Sequence, residues 1–244
     1  MYSYETRVGF SQVDTQKRIK LEALTNLFQD ATCFQGEEIG AGFAYLEPKK
    51  QAWILNSWQI DVDRFPEFNE KITVGTFPTG FRGFLGNRNF VVLDEKGKRI
   101  VMANSIWTLM DMDKMRPTRL TPEYIQKYTL EEALPMEYTS RKILLPEGED
   151  WNVSMKDSIR VSEYHLDSNM HVNNGQYVQM AGAYFNRNVQ YDRMRVEYRN
   201  QAHLGDEILP VVYEKDNVCI VSLCDKENKP YAVIEASRRS HESQ

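Results

Sequence analysis

The amino-acid sequence predicts an α+β fold made of two tandem units, each with one long helix and an antiparallel sheet. Three observations support this prediction: an internal repeat, a helical period after each copy, and matching series of strand-like runs. The repeat aligns residues 8–19 with residues 161–172 and pairs Asp14 with Asp167, an offset of 153 residues. We therefore expect the chain to fold as two similar units.

Each copy of the repeat is followed by apolar residues at helical spacing. In the first copy these residues are Leu21, Leu24, Leu27, Phe28 and Ala31; in the second they are Tyr177, Met180, Ala181, Tyr184 and Phe185. The spacing predicts one long amphipathic helix in each unit, with its apolar face against a sheet.

After each helix the sequence changes to the two-residue period of strands, at residues 60–63 in the first copy and 194–199 in the second. Further strand-like runs pair across the copies: 71–76 with 207–212, 89–93 with 218–223, and 100–105 with 231–236. The segments 94–98 and 225–229 between them have the residues of hairpin turns. Strands joined by hairpins pair antiparallel, which places the helix on one face of each sheet.

The predicted domain boundaries follow from two breaks in the pattern. Thr121 and Pro122 are typical of a helix start, and residues 145–150 form a connector-like stretch of Pro, Gly and acidic residues. We expect an N-terminal unit at 1–118, a linker at 119–155 and a C-terminal unit at 156–244.

The composition is that of an ordinary globular protein, with 41% hydrophobic and 27% charged residues. A net charge of −5 argues against nucleic acid as a partner. No apolar run approaches the roughly 18 residues of a membrane span, and the polar first residues lack the pattern of a signal peptide. Cys33, Cys219 and Cys224 have no CxxC spacing, so we expect neither disulfides nor a zinc ribbon, and a cytoplasmic location.

The densest cluster of polar residues, 165–174, lies between a predicted strand and the second predicted helix. Asp167, Asn169 and His171 alternate there, so in an extended segment their side chains would point the same way. The helix start would add unpaired backbone N–H groups able to hold a developing oxyanion. This pattern indicates an acid–base site, because histidine is the side chain that titrates near neutral pH.

The alternative is that Asp167 and its asparagine neighbours only build a turn and a helix cap. The first copy of the repeat keeps Asp14 but has Arg18 in place of His171, so the turn does not require an imidazole. A metal site from His165, Asp167 and His171 would match no standard signature. We expect no metal and no cofactor.

The same segment resembles the catalytic segment of the acyl-acyl-carrier-protein thioesterases, plant-plastid and bacterial enzymes that release fatty acids from acyl carrier protein. The resemblance spans nearly the whole chain and includes 167–177, 52–55, 105–110, 116–122 and 196–199. It implies a double hot-dog fold, in which each curved sheet wraps around its helix. It also implies that Asp167, Asn169 and His171 are catalytic, and that the first unit supplies most of the acyl-chain pocket.

One position departs from the family. Where similar plant enzymes have Glu-Cys, this chain has Gln201 and Ala202, which excludes a cysteine-based triad there. An amide can orient water but cannot hold its proton, so Gln201 is at most a positioning residue. Glu197, on the same strand face, is the alternative carboxylate.

The resulting hypothesis is hydrolysis of a fatty acyl thioester on acyl carrier protein. His171 activates water, Asp167 and Gln201 hold it, and Asn169 orients the carbonyl or the imidazole. Direct attack by Asp167, giving an anhydride, stays open. Three other functions also stay open: an acyl-CoA thioesterase, a hydroxyacyl dehydratase, and a non-catalytic acyl-chain-binding module. The sequence does not decide between a monomer and a homodimer.

Overall fold

The computed structural model describes residues 1–186 and 188–239. Arg187 and residues 240–244, the end of the predicted C-terminal unit, lie outside the described part. The chain forms two compact units, Met1–Thr139 and Ser140–Gln244. Among the described residues, no helix combines the length and the apolar character needed to cross a membrane.

The first unit contains a five-stranded antiparallel sheet in the order β1-β3-β4-β5-β2. Its elements are β1 (Tyr2–Arg7), α1 (Leu21–Glu38), α2 (Phe43–Leu46), β2 (Gln51–Val62), β3 (Lys71–Arg82), β4 (Leu85–Leu93), β5 (Arg99–Asp111), β6 (Arg116–Pro117) and α3 (Pro122–Ile125). The two-residue strand β6 pairs antiparallel with the end of β5. The four predicted strand regions of the first copy correspond to β2, β3, β4 and β5, and only the first, 60–63, extends one residue past its strand.

The predicted first helix is α1, and it packs against β1 and β3. Its apolar face is buried, as the helical spacing requires: Leu24, Phe28 and Ala31 are fully enclosed. The Phe28 ring lies 5.8 Å from Trp58 and 5.0 Å from Phe90, centroid to centroid. These aromatic contacts form the centre of the first unit's core.

The segment predicted to begin the linker belongs instead to the first unit up to Thr139. Tyr124 is buried, and its hydroxyl oxygen accepts a hydrogen bond from the Trp53 indole at 2.8 Å. Leu134 is also buried, and its N–H donates to Asn89 Oδ1. Residues 119–139 of the predicted linker thus lie in the first compact unit, where apolar residues after 119 pack onto the sheet.

The second unit contains a five-stranded antiparallel sheet in the order β9-β12-β11-β10-β7. Its elements are β7 (Asn152–Met155), β8 (Ile159–Arg160), α4 (Asn174–Gly182), β9 (Arg193–Tyr198), β10 (Glu207–Lys215), β11 (Val218–Cys224) and β12 (Pro230–Ser237). The two residues of β8 pair with the start of β10, and α4 packs on β11 and β12.

The second helix is shorter than the apolar spacing predicts. Helix α4 ends at Gly182, before Tyr184 and Phe185. Glycine disfavours helix, and just after Gly182 the Tyr184 N–H donates to the Ala181 carbonyl at 3.0 Å, three residues back as in a turn and not four as in an α-helix. These competing turn contacts end the helix.

Matching hydrogen bonds in the two units confirm the duplication inferred from the sequence. In the β4–β5 hairpin, Asp94 Oδ1 accepts hydrogen bonds from the backbone N–H groups two and four residues later, at 2.9 Å each. In the β11–β12 hairpin, Asp225 Oδ1 does the same at 2.8 Å. Both predicted turns are therefore built by the same aspartate contact.

Candidate active site in the second unit

The segment before α4 is a tight turn organised by Asp167. Asp167 Oδ1 accepts hydrogen bonds from the N–H of Asn169 at 2.8 Å and of His171 at 3.3 Å. The Asp167 N–H donates to the His171 carbonyl at 2.8 Å, and Met170 has a positive φ of 63°. The condition under which the three side chains would point the same way, an extended segment, is therefore not met, because the chain reverses direction between Asp167 and His171.

The first unit contains the same turn. Asp14 Oδ1 accepts hydrogen bonds from the N–H of Gln16 at 2.8 Å and of Arg18 at 2.9 Å, and Lys17 has a φ of 62°. The Asp14 N–H donates to the Arg18 carbonyl at 2.8 Å. An aspartate is therefore sufficient to build the turn, and the feature specific to the second unit is the imidazole of His171.

His171 is half-buried, and its ring packs edge-on against the ring of His203, with 4.9 Å between centroids and 67° between planes. Val172 N–H donates to the Ala202 carbonyl at 3.1 Å, which holds residues 201–203 beside the turn. Sequence reasoning missed His203, because no periodic pattern relates it to His171. Only the hydrogen-bond register between the two segments brings the imidazoles together.

Gln201 belongs to the segment 201–203, which lies beside the turn that contains His171. A residue that acts together with His171 would have to lie there. Its side chain is exposed and has no hydrogen bond within the described part of the chain. Its neighbours are fixed: Ala202 N–H donates to the hydroxyl of Tyr177 at 2.9 Å, and His203 N–H donates to Asp206 Oδ2 at 2.9 Å. The backbone therefore holds Gln201 in place while its amide stays free.

Tyr177 is the buried group that joins this segment to α4. Burial raises the pKa of its phenol, so it stays protonated at neutral pH. Its ring packs against Tyr198, whose hydroxyl donates to the carbonyl of Asn174 at 3.0 Å. Tyr177, which is buried, and Tyr198, which is half-buried, thus position the Gln201 segment and the helix start.

The start of α4 offers fewer free N–H groups than the sequence suggests. Asn173 Oδ1 accepts a hydrogen bond from the Gly175 N–H at 2.8 Å, in the usual manner of an N-cap. The Asn174 N–H has no acceptor among the residues that the structure describes. One backbone donor at this helix start is therefore available to a ligand oxygen.

The remaining site residues differ in what they contact. Asn169 is exposed and Asp167 is half-buried; Asp167 Oδ2 has no hydrogen bond in the described part of the chain. Glu197, the alternative carboxylate, is already engaged: its Oε2 accepts from the Ile143 N–H at 2.9 Å and from Arg199 at 2.8 Å. Glu197 is therefore a structural ion-pair residue and does not replace the missing carboxylate.

His165 makes a structural hydrogen bond and is not placed to bind a metal ion. It is buried, with 4% exposure, and its Nδ1 accepts a hydrogen bond from the Ser162 N–H at 3.0 Å. At the matching place in the first unit, Gln12 Oε1 accepts from the Gly9 N–H at 2.7 Å. Within 1–186 and 188–239, no three metal-ligating side chains are grouped closely enough to hold an ion.

The matching contacts of His165 and Gln12 predict how the stability of the second unit depends on pH. Burial lowers the pKa of His165 below its ordinary 6.5, so the folded state keeps the ring neutral where the unfolded chain takes up a proton. The unfolded state then binds more protons, and the free energy of unfolding falls as the pH drops below about 6.5. Because Gln12 makes the same contact, His165→Gln should keep the fold and reduce this loss.

The measurement is thermal unfolding of wild type and His165→Gln between about pH 7.5 and about pH 5. We expect similar melting temperatures at the upper end and a smaller decrease for the variant on acidification. Gln12→His is the matched control, which should add acid sensitivity to the first unit. Equal acid sensitivity of wild type and His165→Gln would show that His165 does not contribute.

Comparison with known sequences relates the chain to one group of proteins. A family model described as the acyl-ACP thioesterase N-terminal domain matches residues 1–128, just over half of the chain. The oleoyl-acyl carrier protein thioesterase 2, chloroplastic, of Arabidopsis thaliana is 25% identical over 193 residues, which cover 72% of this chain and 52% of that protein. An acyl-[acyl-carrier-protein] hydrolase, chloroplastic, of Cuphea viscosissima is 25% identical over 68% of this chain and 42% of its own length. The chain thus spans about half the length of these relatives.

Two solved structures share the fold over almost the full chain. An acyl-ACP thioesterase from Bacteroides thetaiotaomicron superposes with a TM-score of 0.87 at 23% identity and covers 96% of both chains. The 12:0-ACP thioesterase from Umbellularia californica superposes with a TM-score of 0.82 at 16% identity, covering 98% of each. These superpositions confirm the predicted fold class, a tandem hot-dog.

Proposed function

Because the chain belongs to the acyl-ACP thioesterase family, we propose that it hydrolyses the thioester of fatty acyl-acyl carrier protein. The products are a free fatty acid and the carrier thiol, and the reaction ends chain elongation in fatty acid biosynthesis. The observation that supports this most strongly is the pair of Asp turns. The two units build the same turn, and only the second has an imidazole in it, on His171, three residues before the free N–H group of Asn174.

In the proposed mechanism His171 is the general base. It removes a proton from water as the water attacks the thioester carbonyl, and it then returns the proton to the leaving thiolate. The Asn174 N–H donates to the carbonyl oxygen as that oxygen becomes negative, at the positive end of the α4 dipole. Asn169, exposed next to the turn, orients the carbonyl.

Asp167 has two roles in this proposal, one for each carboxylate oxygen. Oδ1 holds the turn through the N–H groups of Asn169 and His171. Oδ2 has no hydrogen bond in the described part of the chain, so it can accept one from the attacking water. A carboxylate fixed at one oxygen and free at the other keeps the water in a constant position relative to the imidazole.

Gln201 is proposed as a positioning residue for that water. Its exposed amide makes no hydrogen bond within the described residues, so Gln201→Ala should leave the melting temperature unchanged. We expect kcat to fall about tenfold, the scale of one lost hydrogen bond in the transition state, with little change in KM. Steady-state kinetics on an acyl-carrier-protein thioester measures both constants.

The conservative variant Gln201→Asn separates positioning from a purely structural effect. A shortened amide should recover part of the lost kcat, and the pH profile should keep the same shape because an amide does not titrate. Wild-type kcat in a folded Gln201→Ala protein would remove Gln201 from the mechanism.

The substrate is tested by measuring thiol release from the same acyl chain attached to acyl carrier protein and to CoA, over a range of chain lengths. Faster release from carrier protein supports the proposal, whereas faster release from CoA favours the acyl-CoA thioesterase alternative. Hydration or isomerisation without free thiol would indicate a dehydratase. Binding of acyl chains without turnover would indicate a non-catalytic module.

The proposal includes a cytoplasmic location, supported by Cys33, Cys219 and Cys224, which are all free thiols. Burial raises the pKa of each thiol, so these cysteines are poor nucleophiles at neutral pH. Cell fractionation tests the location. Sedimentation of the purified protein decides between a monomer and a homodimer.

A further inference from the structure

The first unit contains a buried guanidinium whose partners are all neutral. Arg88, on β4, is 6% exposed. Its Nη1 donates to Gln35 Oε1 and to Thr76 Oγ1, and the group lies 5.9 Å from the ring centroid of Tyr128. No carboxylate of the described residues forms an ion pair with it. Burying an unpaired charge is costly, so this arrangement calls for an explanation.

Most of the hydrogen-bonding capacity of Arg88 is unused. A guanidinium has five N–H donors in a fixed fork, and the two contacts described above engage only Nη1. Nη2 and Nε have no acceptor within the described part of the chain, yet neither is sealed from solvent. Arg88 is also one of the residues that line a cleft in the first unit. Burial lowers the pKa of Arg88 to about 10, so the group stays charged at neutral pH.

That cleft has aromatic walls. It is partly open to solvent and is lined by Trp53, Phe81, Trp107 and Tyr128 together with Arg88. Aromatic side chains bind alkyl chains by burying apolar surface, and a planar guanidinium fork matches the two oxygens of a carboxylate. A single cation among apolar walls fits one carboxylate on an alkyl chain better than a strongly hydrated phosphate.

We propose that the cleft of the first unit binds an alkyl chain that bears a carboxylate, with the chain between the aromatic walls and the carboxylate on Nη2 and Nε of Arg88. Two sources have this chemistry: a free fatty acid, and an acyl chain with a second carboxylate at its far end. The inference deepens the proposed function, because it assigns a ligand class to the pocket of the same protein. Binding itself needs no turnover.

The test is titration of the purified full-length protein with octanoate, octanol and inorganic phosphate, followed by tryptophan fluorescence. Trp53 and Trp107 line the cleft, so an occupant should change their emission. We expect octanoate to bind at least about tenfold more tightly than octanol, because only octanoate forms the charge-assisted pair. Octanol that binds as tightly as octanoate in wild type would overturn the proposal, as would displacement of octanoate by phosphate.

Variants at Arg88 test the same point. Arg88→Met removes the fork at similar length and should abolish the preference for octanoate over octanol. Arg88→Lys keeps a charge without the planar fork and should retain an intermediate preference. Circular dichroism establishes that each variant is folded. The comparison of octanoate with octanol in wild type decides the question even where Arg88→Met does not fold, and an unchanged preference in a folded Arg88→Met protein would contradict it.

Hydrolysis assays then identify the source of the carboxylate. A higher kcat/KM for an octanoyl thioester with a terminal carboxylate than for the plain octanoyl thioester would indicate the far end of the substrate. Competitive inhibition by octanoate without that preference would indicate the fatty acid product. Failure of the two proposals is distinguishable: octanoate binding without hydrolysis contradicts only the proposed function, and hydrolysis without preferential octanoate binding contradicts only the carboxylate site.

Discussion

His171→Ala is expected to lower kcat for hydrolysis of acyl-carrier-protein thioesters by about 100-fold or more, the scale of a lost general base. The reason is that neither Gln201 nor Glu197, the two other residues considered for this role, can take over as the base. Gln201 cannot hold a proton and Glu197 is paired with Arg199. The measurement is thiol release from a panel of chain lengths, which also gives the chain preference of the wild type.

Two control variants separate the loss of a base from the loss of a packed side chain. Arg18→Ala changes the matching position of the first unit, where the same turn is present without an imidazole, and should leave kcat within about twofold. His203→Ala removes the exposed ring that packs against His171 and should lower kcat by no more than about tenfold, through looser orientation of His171. A folded His171→Ala protein with wild-type kcat would exclude the proposed base.

Asp167→Asn is expected to lower kcat by about 100-fold while the turn stays intact. Asparagine Oδ1 can accept the same two backbone hydrogen bonds, so the fold should lose little more than the added strength of charge-assisted contacts, on the order of 1 kcal/mol. The free oxygen that holds water, however, is replaced by an amide nitrogen, which donates hydrogen bonds and cannot accept one from water. Kinetics and thermal unfolding on the same sample measure the two effects separately.

Asp14→Asn is the matched control, because Asp14 makes the same two contacts in the first unit. It should cost similar stability and leave kcat unchanged. If Asp167→Asn behaves in the same way, Asp167 is a turn residue and has no chemical role. Alanine is less informative at either position, because it leaves two backbone N–H groups without their acceptor and costs about 1–3 kcal/mol.

Labelled water distinguishes the two chemical roles open to Asp167. Under single turnover in ¹⁸O water, direct attack by Asp167 on the carbonyl gives an anhydride, and its hydrolysis at the aspartyl carbonyl places label in the Asp167 carboxylate. Activation of water by His171 places label only in the fatty acid. The proposed mechanism therefore expects unlabelled Asp167, measured by mass spectrometry of the peptide that contains it.

Local features of the sequence were enough to predict most of the fold. The two-residue periods at 60–63 and 194–199 coincide with β2 and β9 except for the last residue of each range, and the Asp94 and Asp225 turns form as their residues predict. The repeat offset of 153 residues relates the turns of Asp14 and Asp167 contact by contact. The catalytic roles of Asp167, Asn169, His171 and Gln201 stay predictions until the variants are measured.

The tertiary structure decided three features that the sequence could not predict: the end of α4, the contact between His171 and His203, and the cleft at Arg88. The helical period continued past Gly182, but competing turn contacts ended α4 there. The contact between His171 and His203 depends on how Val172 pairs with Ala202, and the cleft at Arg88 depends on which side chains the sheet of the first unit brings together. Period and turn chemistry are properties of neighbouring residues and can be recognised in the sequence. Contacts between distant residues depend on strand register and on the packing of the whole unit, so only the folded chain specifies them.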